Sequence, residues 1–124
     1  MSERIMLEKM IWAVVGVSPN PQKYGYKVYQ KLKKCGYKVY AVNPFYENIE
    51  EDKCYKDLSS LPEIPQVVNM VISAKKGKAV IEEAAKLGIK YVWFQPGSCD
   101  KELLELTGKL GMESVQACVL VSTK

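Results

Sequence analysis

Histidine is absent from the 124 residues. With it go the commonest general base, the Ser-His and Cys-His nucleophile pairs, and imidazole ligation of a metal. Arginine occurs once, as Arg4, and the net charge of +4 is spread over lysines interleaved with acids. No basic stripe with arginine readers is drawn, which argues against nucleic acid as a partner. Cys35, Cys54, Cys99 and Cys118 lie far apart without a C-x-x-C pair, so neither a zinc site nor a disulfide framework is expected. No apolar run reaches the roughly 20 residues of a membrane span. The first ten residues carry Glu3, Arg4, Glu8 and Lys9, unlike a secretory signal or an anchor, and the chain is expected in the cytoplasm. Both G-x-G-x-x-G and G-x-x-x-x-G-K-[ST] are missing, the two glycine patterns that most often announce dinucleotides and nucleoside triphosphates.

What is present describes one globular domain over residues 1–124, with 48% hydrophobic and 26% charged residues, large enough to bury a core without staples. Lys34-Cys35-Gly36, Lys86-Leu87-Gly88 and Lys109-Leu110-Gly111 share one punctuation. Each puts a lysine in a last helical turn and a glycine at the cap, just before an apolar strand. Strands are expected over residues 11–17, 37–42, 67–73, 89–94 and 114–120. Helices are expected from about Tyr24 to Cys35, from Lys76 to Leu87, and after an N-cap at Asp100. Residues 45–66, with an acidic patch and prolines at 62 and 65, read as irregular. The pattern predicts an α/β fold: a Rossmann-like, doubly wound five-stranded parallel sheet in order 3-2-1-4-5, with helices on both faces.

Ligands of such sheets bind outside the carboxyl ends of the strands. The run from Ile11 to Gly25 is the strongest candidate, an apolar strand breaking at Gly16 into a small-residue loop and then a helix. Unpaired N–H groups and the positive end of the helix dipole make that junction suited to a phosphate. The succession Val14-Val15-Gly16-Val17-Ser18-Pro19-Asn20-Pro21, Lys23-Tyr24-Gly25, Val42-Asn43-Pro44, Cys54-Tyr55 and Val92-Trp93-Phe94-Gln95-Pro96-Gly97 resembles the small stand-alone CoA-binding domain proteins. These share their fold with the CoA-binding domain of the succinyl-CoA synthetase alpha subunit. The resemblance implies coenzyme A as ligand, with Gly16, Val17, Ser18, Lys23, Tyr24 and Gly25 as the diphosphate cradle. It implies further that Asn43 and Pro44 border the nucleotide, Ser73 and Lys75 lie along the adenosine side, and Gln95, Pro96 and Gly97 lie along the pantetheine arm.

The expected activity is non-catalytic binding of coenzyme A or an acyl-CoA. One alternative is a component of an acyl-CoA ligase, or a thiol-redox protein, using Cys118 at the end of the last strand or Cys99 near a helix N-terminus. Another is a regulatory module for NAD or a different adenine nucleotide. Each residue also has a plainer role: Gly16 and Ser18 in a tight turn, Asn43-Pro44 as a strand stop, Lys75 and Lys76 as solvated charge, and Cys118 as a small apolar residue. A homodimer remains open. Gly16→Val is expected to abolish ligand binding while leaving the fold intact.

Overall fold

The computed structural model describes residues 2–123, so the two terminal residues of the expected domain lie outside the described residues. Its elements are α1 (Ser2–Leu7), β1 (Ile11–Val15), α2 (Tyr24–Lys34), β2 (Lys38–Val42), β3 (Asn48–Ile49), β4 (Asp52–Tyr55), β5 (Val67–Met70), α3 (Ala74–Lys86), β6 (Tyr91–Phe94), α4 (Lys101–Lys109), β7 (Glu113–Gln116) and α5 (Val119–Ser122). Alternation along β1 sends Trp12 and Val14 to one face of the sheet and Ala13 and Val15 to the other. The first face is covered by Met6 of α1, Val28, Tyr29 and Leu32 of α2, and Val119 of α5. The second is covered by Ile81 and Ala84 of α3 and Leu103 of α4. The α/β class with helices on both faces therefore follows from strands that are apolar on both sides.

The sheet has seven strands in order β3-β4-β2-β1-β5-β6-β7. All neighbours are parallel except the β3–β4 hairpin. This corrects both the strand count and the order expected from sequence. The segment taken as the third strand is β5, which pairs with β1 on the side away from β2. The place beyond β2 belongs to β4, inside the segment read as irregular. Asp52-Lys53-Cys54-Tyr55 carries little strand signal because only Cys54 is buried. Its position is fixed from outside: the Tyr29 hydroxyl donates to Asp52 at 2.8 Å, and Lys33 pairs with the same carboxylate, held below its usual pKa chiefly by that lysine.

The last expected strand is also shorter. The ladder runs on to Ala117, whose N–H donates to the Phe94 carbonyl at 3.1 Å. The Val119 N–H is then taken by the Gln95 side chain at 3.0 Å, and the chain turns into α5. The three expected helix ends close as Schellman motifs: Tyr37 N–H donates to Leu32, Ile89 N–H to Ala84, and Met112 N–H to Thr107. Asp100 caps α4 by accepting from the Leu103 N–H at 2.8 Å.

Two tryptophans anchor the first face. Trp12 and Trp93 are fully buried with centroids 5.7 Å apart. Their indole N–H groups donate to the Lys9 and Ala117 carbonyls at 2.9 and 2.8 Å, satisfying the one polar atom each carries inside. Asn69, registered between Val14 and Trp93, is fully buried with neither amide atom hydrogen bonded. Burying an unpaired polar group costs about 1–3 kcal/mol. Asn69→Leu is therefore expected to raise the urea midpoint, by a free energy of that order; a lower midpoint would show that the amide is satisfied in solution.

Candidate functional site

In the sheet order the chain reverses direction between β1 and β5, and the loops that leave these strands face each other there. Gly16 ends β1 at φ +107°, and its N–H donates to the Val42 carbonyl at 2.9 Å. A Cβ on Gly16 would stand 2.8 Å from Ile72 Cγ2 and 2.9 Å from the Val71 carbonyl oxygen. A Cβ on Gly25 would stand 2.2 Å from the Gly16 carbonyl oxygen. The first turn of α2 thus rests directly on the turn after β1, with no room for a side chain between them. The substitution Gly16→Val would accordingly disturb the fold itself, contrary to the sequence expectation.

Between these glycines the loop is a chain of local bonds. Ser18 Oγ accepts from the Asn20 N–H at 3.1 Å, and Asn20 Oδ1 accepts from the Gln22 N–H at 2.9 Å. Lys23 occupies the N-cap of α2 without a side-chain cap bond, and no acid lies in the first turn. The helix N-terminus therefore keeps its positive end uncompensated by the chain. Asn43 braces the loop from β2: its Nδ2 donates to the Val17 carbonyl at 2.9 Å, and its Oδ1 accepts from the Phe45 N–H at 2.9 Å.

A crevice of about 630 Å³ opens beside this seat and brings together Tyr24, Ile72, Ser73, Pro96, Gly97 and Ser98. Four of these were candidates from the sequence. Ile72 and Ser98 were missed; Ser98 closes the loop by donating from Oγ to the Gln95 carbonyl at 2.6 Å, and the Gln-Pro-Gly-Ser turn was its only sequence signal. Val17 is fully buried, and its carbonyl is taken by Asn43, so it lies beneath the loop's surface. Pro44 lines a separate crevice of about 720 Å³ with Phe45, Lys53 and Tyr55. Lys75 lines a groove between α3 and α4. Lys23 is exposed at the mouth of the α2 N-terminus.

Gln95 is buried, and both ends of its amide are engaged. Nε2 donates to the Tyr24 hydroxyl at 3.1 Å while Oε1 holds the Val119 N–H. The Tyr24 hydroxyl in turn meets Cys118 Sγ. With its oxygen accepting from Gln95, the tyrosine has its proton to give to sulfur. Burial and the sulfur neighbour push the Tyr24 hydroxyl up to about 12. Burial alone would raise the Cys118 thiol, but hydrogen bonds from Tyr24, from the Leu120 and Val121 backbone and from Gln95 outweigh it and bring the pKa below the usual value. Cys99 goes the other way, raised by burial and by the Asp100 carboxylate, so the helix N-terminus does not activate it. Cys54 is raised by burial. Among the described residues no group of acids and cysteines could hold a metal ion.

The sign of this arrangement can be read by alkylation. Thiolate is the reacting form, so Tyr24→Phe, which removes the donated proton, should move the pH midpoint of Cys118 alkylation upward and slow labelling near neutrality. Peptide mapping resolves it from the other cysteines; an unmoved midpoint would mean that the hydroxyl does not hold the thiolate.

Comparison with known proteins bears on the family of the chain. The family described as CoA binding domain matches residues 11–124. The chain is 28% identical to an ADP-forming acetate–CoA ligase of Archaeoglobus fulgidus over 91% of its own length and 18% of that protein's. It is 32% identical to the alpha subunit of an ADP-forming acetate–CoA ligase of Pyrococcus furiosus, over 83% of its length and 25% of the subunit's. The chain thus spans a quarter or less of these curated relatives. A solved hypothetical protein from Pyrococcus horikoshii superimposes with a TM-score of 0.90 at 32% identity, covering 96% of this chain and 84% of the other. With a family match over nearly its whole length, the chain belongs to the CoA-binding domain family.

Proposed function

We propose that this chain binds coenzyme A or an acyl-CoA non-covalently and performs no chemistry on it. The observation that carries the reading is the seat of Gly25 on the Gly16 carbonyl oxygen at an uncapped helix N-terminus. It leaves no room for a side chain between the turn after β1 and the first turn of α2, so that backbone N–H groups are what a diphosphate would meet there. Gly16, Ser18 and Tyr24 then form the cradle, with the buried Val17 and Gly25 as its floor. Lys23 adds a point charge beside it. The crevice wall of Ser73, Pro96 and Gly97 offers a path for an extended arm, and Asn43-Pro44 borders the nucleotide end. Gln95 serves the arm indirectly by positioning Tyr24. Coenzyme A would supply the thiol that carries the acyl group; the protein's part is to bind and orient it.

A second reading is that the chain acts as the CoA-binding component of a larger acyl-CoA ligase. It is favoured by the relatives, acetate–CoA ligases of which the match covers 18% and 25%.

Thermal unfolding with coenzyme A, dephospho-CoA and NAD in parallel tests the first reading. A ligand at about a hundred times its dissociation constant adds about 2.7 kcal/mol, a shift on the order of 10 °C for a domain of this size. The expected result is such a shift with coenzyme A and none with NAD; a flat response would withdraw the ligand. Lys23→Ala should weaken coenzyme A binding by severalfold and flatten its salt dependence, with the unliganded melting temperature unchanged. Equal affinity in wild type and variant would remove Lys23 from the cradle.

A further inference from the structure

A groove of about 960 Å³ runs between α3 and α4, on the face of the sheet opposite α2. It is larger than the crevice at the switch point and has no part in the site described above. Its two banks differ in charge, with lysines alone on the α3 bank and Asp100, Glu102 and Glu105 outnumbering Lys109 on the α4 bank. Lys75 and Lys78 stand on the first turns of α3, and Glu102 and Glu105 stand on α4, with Leu103 and Leu104 between. Among the described residues the ion pairs found lie elsewhere, and none joins these two rows. Leu104 is 37% exposed on the rim.

We propose that this face is a self-association surface whose occupant is a second copy of the chain. Because β5, β6 and β7 are parallel, α3 and α4 connect them in the same sense and run side by side in the same direction. A two-fold axis parallel to the helices and lying in the interface sets α3 of one protomer over α4 of its partner, with both N-termini at the same height. Lys75 and Lys78 then face the partner's Glu102 and Glu105, and symmetry repeats the match. Leu104 enters the partner groove, where apolar burial supplies the affinity, while the charge rows select the register and reject the antiparallel arrangement.

The test is sedimentation equilibrium on the whole chain across roughly 1–300 μM, a range that spans ordinary weak dimers. The expected result is a concentration-dependent dimer. Lys78→Glu and Glu105→Lys should each weaken it by about tenfold or more by setting like charges opposite one another. The double variant should restore it, because exchanged charges remain complementary. Leu104→Glu should abolish dimerisation; circular dichroism and melting temperature verify that each variant is folded. A wild-type monomer throughout the range, or a charge-exchanged variant as weak as its parents, would overturn the proposal. Neither Lys78 nor Glu105 belongs to the coenzyme A site, so the result stands whatever ligand is found.

Discussion

The contact on which the rest of this molecule depends is the seat of α2 on the turn after β1. At 2.2 Å between a would-be Cβ of Gly25 and the Gly16 carbonyl oxygen, helix and turn meet as backbone against backbone. Everything around the seat reinforces it. The Gly16 N–H is spent on β2, Asn43 reaches back from β2 to the Val17 carbonyl, and the Val71 N–H donates to Val15 from the other side. Three strand ends are thereby held at one point, and the loops that leave them are braced by the chain's own hydrogen bonds. Preorganisation of this kind lowers the ordering cost of binding.

The strand–glycine–helix junction, the three capped helix ends and the Asp100 cap were legible in the sequence because each is written within a few neighbouring residues. The edge of the sheet was not. β4 is a strand because Tyr29 and Lys33, about twenty residues upstream, hold Asp52, and a window along Asp52–Tyr55 contains no trace of that. The end of the chain failed for a related reason. Residues 117–120 are apolar enough for a strand, yet Gln95 captures the Val119 N–H and diverts the backbone into α5. Gln95 itself was legible as a strand-end residue, whereas its service to Tyr24 and Cys118, residues 94 positions apart, depends on the fold being complete.

That three-residue contact ties the candidate site to the carboxyl end of the chain. Tyr24 belongs at once to the crevice and to the packing of α5, with Gln95 the joint between them. A ligand leaning on the Tyr24 ring would press on a segment that also carries Cys118. The candidate site is thus the meeting of four strand ends and α5, joined to that helix through the Tyr24, Gln95 and Val119 hydrogen bonds.

The buried pair Trp12 and Trp93 gives the molecule an intrinsic optical reporter. One indole is tethered to the carbonyl just before β1, where α1 hands over to the sheet, and the other to the carbonyl just before α5. Their emission therefore follows the two chain ends: fraying of either terminal helix would bring water to an indole while the central strands stayed paired. Fluorescence of this domain reports whether its ends are fastened, and a melting curve recorded that way traces their release.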